Sequence, residues 1–526
     1  MRRRTMLQAG LVAAAVPTRF AFAQPDRRRV LRFVPQASLT ILDPIFTSSS
    51  ITADHAWAIY DTLFAVTTSQ DFKPQMAEGY TVSDDGRTCL IRLRDGLKFH
   101  NGEPVRAQDC AASLKRWAAR EVVGQTAAEF VDSWGVQDDR TIRIAMKQKL
   151  PIFMDLIGVG GATLPFIMPE HIAATDPFKA ITETIGSGPL KFVKDEYVQG
   201  ARVVYEKNRD YVPRQEPADW HAGGKIVYFD RVEWQIIPDA ATAAAALQSG
   251  EVDWYEQVQA DLVPLLRRAP GIAIGSANPT GYMGLLRFNH LLPPFDNPAV
   301  RRALLLAVDQ TDYMTAITGN DSAAIRVCKA MFPCSTPYGR ELGAADMPGD
   351  LARGRASLRD AGYNNEKVVV VNPVDYPTIA PMGEVTFDLV KKLGMNAEIV
   401  ETDYGTMSRR LLSKEPVDKG GWSISHTWAR ANVIQNPVQN QFMRGLGAAG
   451  LPGWYADDKQ EQLTRAWLLA GTQAERDALA DAVQRRAFEM VPMIPLGLFQ
   501  IRTARNKNLV GQIEANGALF WNIRWA

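Results

Sequence analysis

Residues 367–412 read KVVVVNPVDYPTIAPMGEVTFDLVKKLGMNAEIVETDYGTMSRRLL. KVVVVNPVD carries the continuous β-branched run of a strand buried on both faces. PMGEVTFDLVKKLG changes to helical spacing and stops at Gly394, the residue type that closes helices in the left-handed conformation. NAEIVET returns to strand, and MSRRLL opens another helix. Strand, helix and strand in so short a span make a crossover unit, whose two strands must lie parallel in one sheet. The expected fold class is therefore α/β.

The same alternation extends along the chain. Segments 29–34, 88–94, 141–146, 232–237 and 282–288 read as strands. The alanine-rich helix at 240–249 closes at Gly250, and Asn297 caps a helix with Pro298 in its first position. From 459 to 489 the pattern is one amphipathic helical stretch, ended by VPMIPLG, whose prolines return the chain to extended structure. At 526 residues, 46% of them apolar, the chain exceeds what one core organises, and two or three domains are expected.

The N-terminal MRRRTMLQAGLVAAAVPTRFAFAQ has three consecutive arginines, a short apolar run from Leu11 to Val16, and Ala21-Phe22-Ala23 as a small-x-small cleavage site. It reads as a signal peptide over 1–23, cut before Gln24, and places the mature protein in the periplasm. Arg3-Arg4-Thr5-Met6-Leu7 approximates a twin-arginine signal, with the Sec route left open. Removing this segment and its arginines leaves a slight acidic excess, which gives no reason to expect nucleic acid or a membrane surface as partner. Cys328 and Cys334 enclose the short loop VCKAMFPC and are the candidate disulfide; Cys89 and Cys110 read as buried thiols.

Catalytic chemistry is not legible. There is no GxSxG elbow, no HExxH helix and no phosphate-binding glycine loop, and the six histidines are scattered without metal-ligand spacing. No metal or cofactor is expected, and the weight falls on binding.

Several blocks then resemble one family. KPQMAEGYTVSDDGRTCLIRLRDGLKFHNGEPVRAQDC at 73–110 is the most specific; IGSGPLKF at 185–192, KNRDY at 207–211, SGEVD at 249–253, FNHLLPPFDNPAVRRALLLAVDQ at 288–310 and VPMIPL at 491–496 follow in order. They resemble the extracytoplasmic solute-binding proteins of family 5, which serve peptide, nickel and opine importers of the ATP-binding-cassette class. The resemblance implies a two-lobed periplasmic-binding-protein fold with a hinge of two crossing strands and an additional domain. Carried over, lobe I comprises 24–53, 184–283 and 491–526, the extra domain 54–183, and lobe II 284–490. It implies a monomer, not an enzyme, that closes on a small organic solute or short peptide and delivers it to an inner-membrane permease. A secreted hydrolase on a related fold, or a sensor presenting ligand to a receptor, are the alternatives.

For the ligand site the resemblance points to GGWSISHTWARANVIQNP at 420–437. Peptide-binding relatives carry there a Trp followed three residues later by an Asp that holds the peptide's ammonium. Aligned on Trp422, the place of that Asp falls to Ser425, so the ligand is expected to lack a simple free N-terminus unless an acid such as Asp43 or Asp403 reaches the cleft. The expected binding residues are Trp422, Ser423, Ser425, His426 and Trp428 from lobe II, with Tyr282 and Ser38 facing them. Gly420-Gly421 is read as permitting close backbone approach or a sharp turn just before Trp422.

Overall fold

A computed structural model describes residues 27–319 and 321–526. The signal-peptide and twin-arginine readings lie outside the described residues. Among these, no helix is long and apolar enough to cross a membrane.

Two large sheets carry the two lobes. Lobe I is seven-stranded, in the order Ile272–Ser276, Arg502–Asn506, Trp254–Val258, Val30–Val34, Arg231–Gln235, Arg202–Lys207, Leu190–Phe192. Val30–Val34 lies parallel to both Arg231–Gln235 and Trp254–Val258, which flank it and are joined by the Ala240–Ser249 helix. That helix is capped by the Asp239 side chain and ends at Gly250 in the left-handed region. Lobe II is six-stranded, in the order Ile325–Arg326, Met493–Phe499, Tyr282–Phe288, Ile424–Arg430, Lys367–Pro373, Asn396–Thr402. Lys367–Pro373 and Asn396–Thr402 pair in parallel through the Ala380–Leu393 helix, as the crossover reading requires.

The extra domain is a four-stranded antiparallel sheet, Ala77–Val82, Thr88–Leu93, Thr141–Met146, Val131–Asp138, with the Ala107–Arg120 helix packed on it. Cys89 and Cys110 are buried there as free thiols.

Three expected boundaries move. Tyr282–Phe288 and Met493–Phe499 are both integral to the lobe II sheet, so the chain crosses between lobes at 277–281 and 500–501 rather than near 283 and 491. The two crossings run side by side: Ser276 pairs with Arg502 below them, Tyr282 with Phe499 above, and Ala277 N donates to Ile501 O between. The Ser50–Ile59 helix straddles the expected start of the extra domain but packs on lobe I, where His55 Nδ1 meets Tyr205 OH at 2.8 Å and Trp57 stacks on His221. The stretch at 459–489 is two helices, Asp458–Leu469 and Gln473–Met490. Thr472 accepts from Glu475 N while Glu475 reaches back to Thr472 N, a reciprocal cap that restarts the helix after Gly471.

Cys328 and Cys334 are bonded. Closing so short a loop limits the unfolded chain only modestly, so replacing both with Ser is expected to lower unfolding free energy by roughly 2 kcal/mol. Urea denaturation of the variant beside reduced and oxidised wild type measures this; an unchanged midpoint contradicts it.

Candidate functional site

The residues expected to bind ligand divide between two ends of one strand. Trp428 lies near the end of Ile424–Arg430 that reaches the interlobe crossing; Trp422 precedes its other end. Six residues of extended chain separate them, about 20 Å. Trp422 is fully buried among Val369, Val371, Met407, Leu411 and Trp454, and its Nε1 donates to Leu411 O. It is a core residue of lobe II, packed on the sheet face opposite Trp428, because residues 421–423 are irregular and break the strand's alternation. The glycine pair serves the turn into the strand: Gly420 has φ +89°, and a Cβ on Gly421 would lie 1.9 Å from Glu415 O.

Ser423, Ser425 and His426 also leave the expected site. Ser423 is buried and exchanges bonds with Val369, its Oγ accepting from Val369 N at 3.0 Å. Ser425 is fully buried, opposite Arg287 in the ladder. His426 meets Thr386 Oγ1 at 2.8 Å beneath the Ala380–Leu393 helix, and burial lowers its pKa to about 3, so it is neutral. The missing carboxylate at Ser425 therefore says nothing about the ligand. Nor do the two alternative acids serve: Asp43 is buried against Arg116 at 2.7 Å, and Asp403 caps the Tyr404–Arg410 helix.

Tyr282 and Trp428 do come together, edge to face with ring centroids 4.8 Å apart. Trp428 Nε1 donates to Thr378 Oγ1 at 2.9 Å, which fixes the indole. Tyr376 lies 6.4 Å from it and Tyr404 5.0 Å beyond, giving lobe II an aromatic wall at this end of its sheet. Arg430 closes the strand on the same face as Trp428. It is part-buried and makes no ion pair with the described residues. Three residues after Trp428 stands Ala431, again no acid.

The acids come from lobe I. Asp54 projects from the Ser50–Ile59 helix and Glu256 from Trp254–Val258; both are buried, and both are held by Gln36. Gln36, just past Val30–Val34, binds both: its backbone N donates to Glu256 Oε2 at 2.8 Å, and its Nε2 to Glu256 Oε1 at 3.0 Å and to Asp54 Oδ2 at 3.3 Å. Ala518 N donates to Asp54 Oδ1 at 3.1 Å, and a Cβ on Gly517 would press on that same oxygen at 2.4 Å. Ser38 follows Gln36 by two residues, its Oγ buried without a partner among the described residues. Glu256 opens onto a cavity of about 210 Å³ beside the crossing, lined also by Ser276, Thr503, Gln512 and Glu514. Ser276 Oγ and Gln512 Oε1 are buried there without partners among the described residues.

Burial raises both carboxyls, Asp54 to about 6 and Glu256 well above its ordinary value; the Asp54 charge pushes Glu256 further up, and Arg430 opposes the rise of both. Two carboxyls in contact share one proton and titrate as a pair. Near neutrality the pair holds a single negative charge. Arg430, whose field reaches Asp54, Glu256 and Tyr282, supplies the opposite pole from lobe II.

Comparison with known proteins fits this architecture. The model of the bacterial extracellular solute-binding proteins, family 5 middle, matches residues 71–445. The chain is 36% identical, over 100% of its length and 99% of the relative's, to the probable peptide ABC transporter periplasmic-binding protein y4tO of Sinorhizobium fredii (strain NBRC 101917 / NGR234). It is 26% identical to the glutathione-binding protein GsiB of Escherichia coli (strain K12), covering 97% of this chain and 96% of that one. Among solved structures, the periplasmic binding protein DppA of Helicobacter pylori, in complex with peptide STSA, superposes with TM-score 0.76 at 22% identity, covering 94% and 98% of the two chains. AgaA of A. tumefaciens R10, in complex with agropinic acid, gives TM-score 0.77 at 20% identity, covering 94% and 99%.

Proposed function

Because this chain belongs to the bacterial extracellular solute-binding proteins of family 5, we propose that it captures an amino-acid-derived or peptide solute carrying both a cationic amine and a carboxylate. The amine is held by the Asp54–Glu256 pair, the carboxylate by Arg430, and the apolar body by Trp428, Tyr282 and Tyr376. One observation carries the reading: a buried acid pair on lobe I and Arg430 on lobe II, which has no ion-pair partner among the described residues, lie within each other's field beside the crossing strands. A ligand bridging the two is bound fully only when the lobes close, which ties capture to conformation. The reading reverses the expectation of a ligand lacking a free amine. The names of the peptide- and glutathione-binding relatives support it.

The site of action in this reading is the periplasm, and the closed, loaded form is what an inner-membrane permease receives. The ligand leaves chemically unchanged. Mass spectrometry of the solute released on denaturing protein purified from periplasmic extract tests this: an intact zwitterionic amino-acid or peptide mass is expected, and a cleaved ligand, or one with no basic nitrogen, contradicts it.

Titration gives a second test. The raised carboxyl pKa values stabilise the unliganded fold at low pH, and that contribution is lost as pH rises through about 6, where the pair becomes charged. Affinity for an amine-bearing ligand should move the opposite way, falling as pH drops below about 6 and the pair becomes neutral. Calorimetric titrations from pH 5 to 8, a range bracketing that midpoint by about one unit or more, measure it; flat affinity sinks the assignment of the pair.

A further inference from the structure

Lobe II carries a second pocket, about 350 Å³, near the end of Tyr282–Phe288 away from the crossing. Arg287 stands five residues along that strand from Tyr282, roughly 17 Å. Every residue lining the pocket belongs to lobe II, and no carboxylate is among the described residues that line it.

Its walls present positive charge and open donors. Arg287 is part-buried, donates to Pro452 O at 2.7 Å and stacks over Phe442 at 5.6 Å, but has no ion pair within the described residues. Burial lowers its pKa to about 10, the mark of a guanidinium short of both water and counter-charge. Arg444 is neutralised by Glu461, yet its Nη1 is buried with no partner among the described residues. His290 donates Nε2–H to Pro492 O and is kept neutral by burial, so its buried Nδ1, without a partner among the described residues, is an acceptor and adds no donor. Arg301, behind His290, is committed to the backbone carbonyls of Phe295, Met490 and Val491 and adds charge without a carboxylate of its own. A buried cation lacking a counter-ion is costly to the fold unless something occupies it, and a planar guanidinium fits two oxygens of one anion.

We propose that this pocket is a binding site for an oxyanion, a carboxylate or phosphate group, seated on Arg287 with Arg444 Nη1 beside it, and separate from the interlobe ligand. The shared chemistry is two oxygens and a negative charge; the aromatic edge of Trp454 and Phe442 accommodates what the anion is attached to. Because lobe I contributes nothing to it, occupancy is independent of closure and of the ligand assignment made for the cleft.

The test uses the mature chain, titrated with inorganic phosphate and separately with sodium acetate at ionic strength fixed with chloride. The readouts are indole ¹H–¹⁵N resonances, assigned by Trp→Phe variants, and thermal midpoint. Saturable movement of the Trp454 resonance by either anion, with Trp428 unmoved, is the expected result, and which anion saturates first identifies the preferred source. Arg287→Gln is expected to weaken it by about tenfold or more while the cleft ligand binds as before. Should that variant fail to fold, Arg287→Lys, which keeps the charge and loses the fork, is expected to retain weaker binding. The proposal is overturned by non-saturating shifts equal to those in chloride alone, by movement confined to Trp428, or by an unaltered response in Arg287→Gln.

Discussion

Trp422→Ala should cost about 3–5 kcal/mol of unfolding free energy, the usual penalty for emptying a large buried side chain. Ligand affinity of the molecules that remain folded should be unchanged within error. Trp428→Ala should do the reverse. That indole is part-exposed and touches Tyr282, Tyr376 and Thr378, so little core is lost. Removing an aromatic surface from a closed binding site costs about 2 kcal/mol or more of affinity, some thirtyfold. Chemical denaturation and calorimetric titration on the same two variants separate the effects. Weakened binding by Trp422→Ala at full stability would return the site to the wrong end of the strand and sink the assignment.

The acid pair gives the second large effect, and its pattern is unusual. Asp54 and Glu256 together hold one negative charge near neutrality, because burial and the Asp54 charge both oppose ionisation of Glu256 while Asp54 ionises at about 6. Glu256→Gln leaves Asp54 free to ionise, so the charge survives and affinity for an amine should fall by less than about tenfold. Asp54→Asn leaves Glu256, whose ionisation burial itself opposes, and should cost more than Glu256→Gln. The double variant Asp54→Asn/Glu256→Gln removes the charge and should lose about 2–5 kcal/mol of affinity, the cost of stranding a buried ammonium. Its unliganded form should be more stable than wild type at pH 8 and little changed at pH 5, since a buried charge has been removed only where it was ionised. Glu256→Gln as damaging as the double would mean that Asp54 does not carry the charge of the pair.

How much of this the sequence displays depends on the kind of signal. The crossover unit at 367–412 is legible because a four-valine strand and a Gly394-terminated helix each state their period locally. Asn297, Asp239 and Gly250 mark helix ends for the same reason, each acting within a turn of itself. The split at Thr472 is not visible in the apolar pattern, although Thr472 and Glu475 spell a cap. The crossings are displaced by a few residues because Tyr282 and Phe499 look alike as strand ends whichever sheet they join; only pairing partners decide.

The site is less legible than the fold. Two tryptophans six residues apart match one motif equally well, and what separates them is where the regular strand begins, at Ile424. Arg430 is the only formal charge in 420–437 and was the available signal, since a lone cation at the end of a buried strand calls for a partner. Asp54 and Glu256 carry no such mark. Each sits in an ordinary helix or strand pattern, 202 positions apart in the chain, and only the closing of the sheet over Val30–Val34 brings them to Gln36.

The most direct measurement is a pair of calorimetric titrations with one short peptide, free and N-acetylated, on wild type and on Asp54→Asn/Glu256→Gln. The acid-pair assignment predicts that acetylation weakens binding to wild type by about a hundredfold, near 3 kcal/mol, and makes little difference to the double variant, whose pole is already gone. Equal affinity of the two peptides for wild type, or a wide gap that persists in the double variant, would contradict it.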